Sequence, residues 1–189
     1  LPSETCPGEK ASWAMQPDGS YLHQVSADLD AHWDEHTPRY CSSVSGGKDS
    51  VHDLSPPGPG TLEVTIDADP GLRPVLSLRS DCEDRYSELD CEVASSDGAT
   101  VTQRVRVNAG ATVFALVDQY IGTGTFTLTA RFHPESTAET CPGEALAWVS
   151  ETDGSSSFEV SGDFADFWDE QSPIYCSEAT DGRDAIYAL

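Results

Sequence analysis

Residues 4–54 return at residues 139–189 at a constant offset of 135, without a gap, and 23 of the 51 positions are identical. A repeat of this length constrains the fold more than any local pattern, because each copy has to bury the same faces with the same residues. The first copy opens on ETCPGEKASW and passes through VSADLDAHWDEHTPRYCSS. The second opens on ETCPGEALAW and passes through VSGDFADFWDEQSPIYCSE.

The repeat serves as an internal control on one conspicuous motif. Residues 32–36 read His-Trp-Asp-Glu-His, and His-x-x-Glu-His on a helix is the signature of a class of zinc peptidases. In the second copy His32 and His36 become Phe167 and Gln171, whereas Trp33, Asp34 and Glu35 return as Trp168, Asp169 and Glu170. Pro38 stands two residues after His36 and opposes the long helix such a motif needs. The five residues therefore read as a packing motif, and zinc is not expected. No Gly-x-Ser-x-Gly elbow occurs, and replaceable histidines leave no base for a nucleophile. The chain reads as non-enzymatic, with His133 and Asp118 as single-copy residues to which the sequence assigns no part.

The cysteines obey the same offset. Cys6 and Cys41 recur as Cys141 and Cys176, which leaves Cys82 and Cys91. The expected bridges are Cys6–Cys41, Cys82–Cys91 and Cys141–Cys176. An even count without C-x-x-C spacing favours disulfides over zinc or redox chemistry, and so an oxidising compartment.

Charge excludes several partners. The 189 residues carry 33 acidic and 10 basic side chains, a formal net charge of −23. That balance offers no basic stripe for nucleic acid and disfavours anionic membranes. No stretch approaches the ~20 apolar residues of a membrane span. Between the copies lie alternating runs: TLEVTIDA (61–68), PVLSLRS (74–80), VTQRVRVNAG, ATVFALVDQY and TFTLTARF. Leu62, Val64 and Ile66 fall on one face, as do Phe126, Leu128, Ala130 and Phe132. Turn signals such as SPPGPG and SSDG separate the runs. No amphipathic helix of usable length occurs. The expectation is an all-β, jelly-roll-like antiparallel β-sandwich stapled by disulfides. Val51 and Leu54, like Ile186 and Leu189, are expected in its core. Trp13, Trp33, Trp148 and Trp168 are expected to pack over the disulfides.

These residues resemble the bacterial pre-peptidase C-terminal (PPC) domain family, over about residues 47–132. The resemblance rests on GGKDSVHDLSPPGPGTLEVTIDA, PVLSLRSDCEDRYSELDCE and NAGATVFALVDQYIGTGTFTLTARF, and on the Asp-aliphatic-aromatic strand Asp184-Ala185-Ile186-Tyr187. It implies a secreted or cell-surface bacterial β-sandwich, found beside extracellular peptidases, sometimes binding calcium and lacking catalytic residues. The chain departs from the family in having only Glu92, and Asp97 further on, after the second mid-domain cysteine, and His52 where an aromatic residue is usual.

Calcium is the one cofactor the residues suggest. Asp28, Asp34 and Glu35 have the counterparts Asp163, Asp169 and Glu170, and hard oxygen ligands gathered in a loop suit that ion. Residues 1–133 read as a complete domain, with 1–54 the lead-in and first core strand and 55–133 the main sheets. Residues 134–189 read as the N-terminal part of a second repeat. AIYAL (185–189) would form an apolar strand with open edges, so the expectation is either a fragment of a longer tandem array or docking on another copy by strand addition, with head-to-tail growth into an extracellular fibre. The functional expectation is a secreted structural or adhesive module whose partners are other copies of itself, extracellular matrix or a polysaccharide. The alternatives are an accessory domain of a secreted peptidase, aiding export or substrate binding, and a carbohydrate-binding module working through its tryptophans.

Overall fold

The computed structural model describes residues 3–41, 47–135, 144–145, 147–160 and 187–188. The chain divides into two compact units, Leu1–Pro134 and Glu135–Leu189. Among the described residues the first unit contains ten strands. They are β1 (Glu9–Lys10), β2 (Ala14–Met15), β3 (Tyr21–Asp28), β4 (Asp49–Asp53), β5 (Gly60–Ala68), β6 (Leu72–Arg79), β7 (Glu88–Val93), β8 (Val101–Val107), β9 (Phe114–Gly122) and β10 (Thr125–Pro134). One sheet has the order β1-β4-β9-β6-β7 and the other β2-β3-β10-β5-β8. From β3 to β6 the chain changes sheet at every step, as it does again from β7 to β10, and every pairing in these two sheets except the parallel β1–β4 contact is antiparallel. The fold is the expected jelly-roll-like β-sandwich. Helical structure among the described residues amounts to two 3-10 turns, Leu29–Ala31 and Arg85–Ser87, each begun by an aspartate side chain that accepts a main-chain N–H two residues on.

Alternation builds the core. Leu62, Val64 and Ile66 of β5 and Phe126, Leu128, Ala130 and Phe132 of β10 point between the sheets and are fully or nearly fully buried, as the two-residue period requires. Leu76 and Leu78 of β6, with Ala115 and Val117 of β9, close the core from the opposite sheet. Leu54 belongs to it, as expected. Val51 is just as buried but faces the other way, into a second cluster with Cys82, Phe114 and Leu116 on the outer face of the β1-β4-β9-β6-β7 sheet. Ile186 and Leu189 lie outside the described residues.

That second cluster corrects the expected disulfides. Cys6 bridges Cys82 and Cys41 bridges Cys91, with Cα–Cα distances of 5.7 and 5.4 Å; Cys6–Cys41 and Cys82–Cys91 do not form. The lead-in crosses the outer face of the sheet, so its two cysteines meet those of the β6–β7 hairpin beneath. The repeat offset identifies equivalent cysteines, which is different from identifying touching ones. Cys141–Cys176 lies outside the described residues. Gly8, in the recurring Cys-Pro-Gly-Glu, is where the lead-in presses on β4: its φ is +81° and a Cβ there would collide with the carbonyl of Val51.

In the second unit β11 (Glu144–Ala145) pairs with β14 (Tyr187–Ala188), and β12 (Val149–Ser150) with β13 (Ser156–Ser157). Both pairings reproduce those of the first unit at the 135-residue offset. Glu9↔His52 becomes Glu144↔Tyr187, and Ala14↔Leu22 becomes Val149↔Ser157. The intervening turn is also repeated: Asp18 accepts from Ser20, and Asp153 from Ser155, through both main-chain N–H and hydroxyl.

Candidate functional site

Residues 29–41 form a strap across the outer face of the β1-β4-β9-β6-β7 sheet. Ordinary side chains there would leave the strap's main-chain groups unpaired, and the sheet supplies charged partners instead. Asp49 Oδ2 accepts the N–H groups of Glu35 and His36, each at 2.8 Å. Glu88 accepts those of Arg39 and Tyr40 and the hydroxyl of Ser77, the last at 2.6 Å. Arg79, 1% exposed, donates to the carbonyls of Thr37 and Cys82. Burial pushes its guanidinium down and the Glu88 carboxylate beside it pulls it back up. The Cys41–Cys91 bridge fixes the far end.

This arrangement settles the place of the histidine motif. Residues 32–36 are not helical, and the two rings do different things. His32 is buried, with Nε2 2.8 Å from Ser3 Oγ and Nδ1 2.9 Å from the carbonyl of Asp28. The His36 Nε2 lies 3.9 Å from Cys6 Sγ.

The expected calcium ligands do not assemble as a set. Asp28 is spent on capping the turn at Leu29–Ala31, because an aspartate just before a tight turn finds free N–H groups at hand. Asp34 and Glu35 are exposed on the strap, while Asp163, Asp169 and Glu170 lie outside the described residues. Among the described residues no three His, Cys, Asp or Glu side chains gather into one metal-ligating group.

What the sequence reading missed lies under the strap. Asp49 and Asp118 are directly paired residues of β4 and β9, so their side chains share one face. They are 1% and 3% exposed, and one oxygen of each, Oδ1, has no hydrogen-bond partner. Burial, and after it the neighbouring Asp49, pushes the Asp118 carboxyl up to about 7. Burial likewise raises Asp49, against the pull of the His36 and Glu35 N–H groups. The available signal was the repeat itself, which keeps Asp49 as Asp184 and Gly47 as Gly182.

The tryptophans also depart from expectation. Trp13 packs on the main core, edge-on to Phe132 at 6.4 Å and to His23 at 6.2 Å, with Nε1 donating to the carbonyl of Ser55. Trp148 stands edge-on to Phe158, the counterpart of His23, and is exposed. Trp33 is 72% exposed, because the main chain of the strap, not an indole, covers the disulfide face. Trp168 lies outside the described residues. Near the other end of the strap the Arg39 guanidinium sits over the rings of Tyr40 and Tyr86, 4.6 and 4.1 Å from their centroids. Tyr40 and Tyr86 are 67% and 66% exposed. A shallow cleft of about 380 Å³ adjoins the Cys6–Cys82 bridge, lined by Ser80, Asp81, Glu83 and Thr112 among others.

No protein-family model and no curated protein matches the chain in sequence. Solved structures with a similar course of chain include PliG from Aeromonas hydrophila, a periplasmic inhibitor of g-type lysozyme (9% identity, TM-score 0.41, covering 66% of this chain and 95% of that one). Another is the pre-peptidase C-terminal domain of a Bacillus anthracis collagenase (12%, 0.36, 67% and 99%). A third is the C-terminal CBM6 of the laminarinase LamC from Zobellia galactanivorans (16%, 0.35, 59% and 100%). No partner, substrate or family membership is carried over from them. The two disulfides place the first unit among chains matured in an oxidising compartment, and no helix among the described residues is long and apolar enough to cross a membrane.

Proposed function

We propose that the chain is a secreted or cell-surface, non-enzymatic β-sandwich module that works by adhesion, and that its contact surface is the aromatic end of the strap, directed at an extracellular polysaccharide. The observation that carries this reading is Arg39 held over Tyr40 and Tyr86, both rings about two-thirds exposed. Exposed rings locked by a guanidinium and a disulfide lose little freedom on binding, and flat aromatic faces suit the C–H faces of sugar rings. Membership of the PPC family, with a bacterial source, remains part of this proposal on the strength of the sequence motifs.

The test is affinity electrophoresis of the full chain in gels containing β-glucan, xylan or polygalacturonate. Tyr86→Ala and Tyr40→Ala are run beside it. Retardation by one polysaccharide, relieved in both variants, supports the reading; equal mobility in all three gels removes it. Head-to-tail assembly by strand addition is the alternative, and light scattering separates it, since it predicts a mass well above the 20.3 kDa of one chain. An accessory role beside a secreted peptidase predicts neither retardation nor assembly.

A further inference from the structure

We propose that the Cys6–Cys82 bridge is a site of thiol exchange, opened at Cys6 by a small thiol whose proton His36 accepts. A bridge that only staples a fold gains nothing from a base beside it. Here the His36 Nε2 lies 3.9 Å from Cys6 Sγ. Histidine is the side chain best suited to take up and return a proton near neutrality. The strap fixes its place, since Asp49 Oδ2 accepts the His36 main-chain N–H at 2.8 Å. Among the described residues neither ring nitrogen of His36 has another hydrogen-bond partner.

The two sulfurs are unequally protected. Cys82 is 4% exposed and packs with Val51, Phe114 and Leu116, whereas Cys6 is half-buried. The cleft of about 380 Å³ opens beside the bridge, with Cys6 and Pro7 in its wall. That is room for a small molecule. Asp81 and Glu83 stand in the same wall, so a neutral or cationic thiol is favoured over an anionic one.

The other cysteines serve as controls. Cys91 is flanked by Asp90 and Glu92, and among the described residues no histidine nitrogen reaches the sulfur of Cys41 or Cys91. The second copy keeps Cys6 as Cys141 but has Gln171 in place of His36. The cysteine is thus retained where the histidine is not.

The exchange balances with the thiol alone. The incoming S–H gives its proton to His36 Nε2, and its sulfur attacks Cys6 Sγ. The Cys6–Cys82 bond breaks and its electron pair leaves with Cys82. The imidazolium then returns the proton to the Cys82 thiolate. A mixed disulfide on Cys6 and a free thiol on Cys82 result, and the lead-in is freed from the β6–β7 hairpin.

The experiment treats the full oxidised chain with cysteamine at neutral pH, quenches in acid and maps the linkages by peptide mass. Cysteamine is expected first on Cys6, while Cys41–Cys91 is still closed. A free thiol is only a few per cent ionised near neutrality, so His36→Gln is expected to slow the opening of Cys6–Cys82 by about tenfold. A water-soluble trialkylphosphine has no proton to give up, and it should open that bridge equally fast in both proteins. First attachment to Cys82 overturns the proposal, as does opening of Cys41–Cys91 as fast as Cys6–Cys82. An unchanged thiol rate in His36→Gln overturns it too. So does an equal change with thiol and phosphine, which would leave the ring a packing role only.

Discussion

The carboxylate of Glu88 accepts the main-chain N–H of Tyr40 at 2.8 Å, joining residues 48 apart in the chain. The same carboxylate takes the Arg39 N–H and the Ser77 hydroxyl and lies beside Arg79. Replacing it strands several donors at once. Glu88→Ala is expected to cost about 2–3 kcal/mol in urea unfolding, whereas Glu88→Gln, which keeps an acceptor, recovers most of that. Equal losses in the two variants would show that packing, and not the acceptor, is what matters.

The corrected cysteine pairing is open to direct assay. Non-reducing peptide mapping should recover Cys6 linked to Cys82 and Cys41 to Cys91. Each bridge closes a long loop, of separation 76 and 50, so removing either is expected to cost about 4 kcal/mol in the chain-entropy account. A peptide joining Cys6 to Cys41 would refute the strap arrangement itself.

How far the fold was legible follows from these examples. Strands β5 and β10 were readable because alternation of apolar and polar residues registers a buried face directly. Strand β3 was not, since Tyr21–Asp28 carries polar residues such as His23 and Ser26 among its apolar ones. The disulfides were misread because sequence equivalence says nothing of which element crosses which. Asp28, Asp34 and Glu35 drew attention by recurring in a loop, while Asp49 recurred equally but looked like one residue of a strand. Its meaning depends on Asp118, 69 positions away, and only strand pairing brings the two together. Trp33 was assigned to packing by the general habit of tryptophan, against which the clamped main chain of the strap prevailed.

His52 by itself favours the fold at neutral over acid pH. It is fully buried between the sheets, edge-on to Phe126 and 3.1 Å from Ser50 Oγ, and burial holds its ring neutral down to about 4. A histidine with a depressed folded value contributes stability that is present above its ordinary 6.5 and lost as the pH falls towards 4, here on the order of 3 kcal/mol. Asp118 works in the opposite direction, costing stability as the pH rises from its ordinary 3.8 towards about 7. In the parent the contributions of His52 and Asp118 therefore oppose each other between pH 4 and 6.5. Denaturant unfolding of His52→Phe should instead reveal stability declining as the pH rises, and that of Asp118→Asn a decline as it falls. Flat profiles in both variants would rule this account out.

Gln103 sits on β8 at 2% exposure, with neither its amide oxygen nor its amide nitrogen hydrogen-bonded. Replacing it by the similarly sized Leu is expected to stabilise the domain by about 1–2 kcal/mol, because the cost of burying the unpaired amide disappears. A raised thermal midpoint checks this. A lowered one would point to a partner that Gln103 acquires in solution.

The Cys6–Cys82 bridge has a mechanical meaning for a molecule that adheres to something. Tension entering at the start of the first unit reaches Cys82 through sulfur, and the 76-residue span between the two cysteines is bypassed. Under load that span cannot be drawn out, which withholds roughly 260 Å of slack at about 3.4 Å per residue. A pulled molecule would yield only from residue 83 onward. What yields includes β9 and β10, the middle strands of the two sheets, so the bridge caps the length of chain that load can release without shielding the sandwich itself.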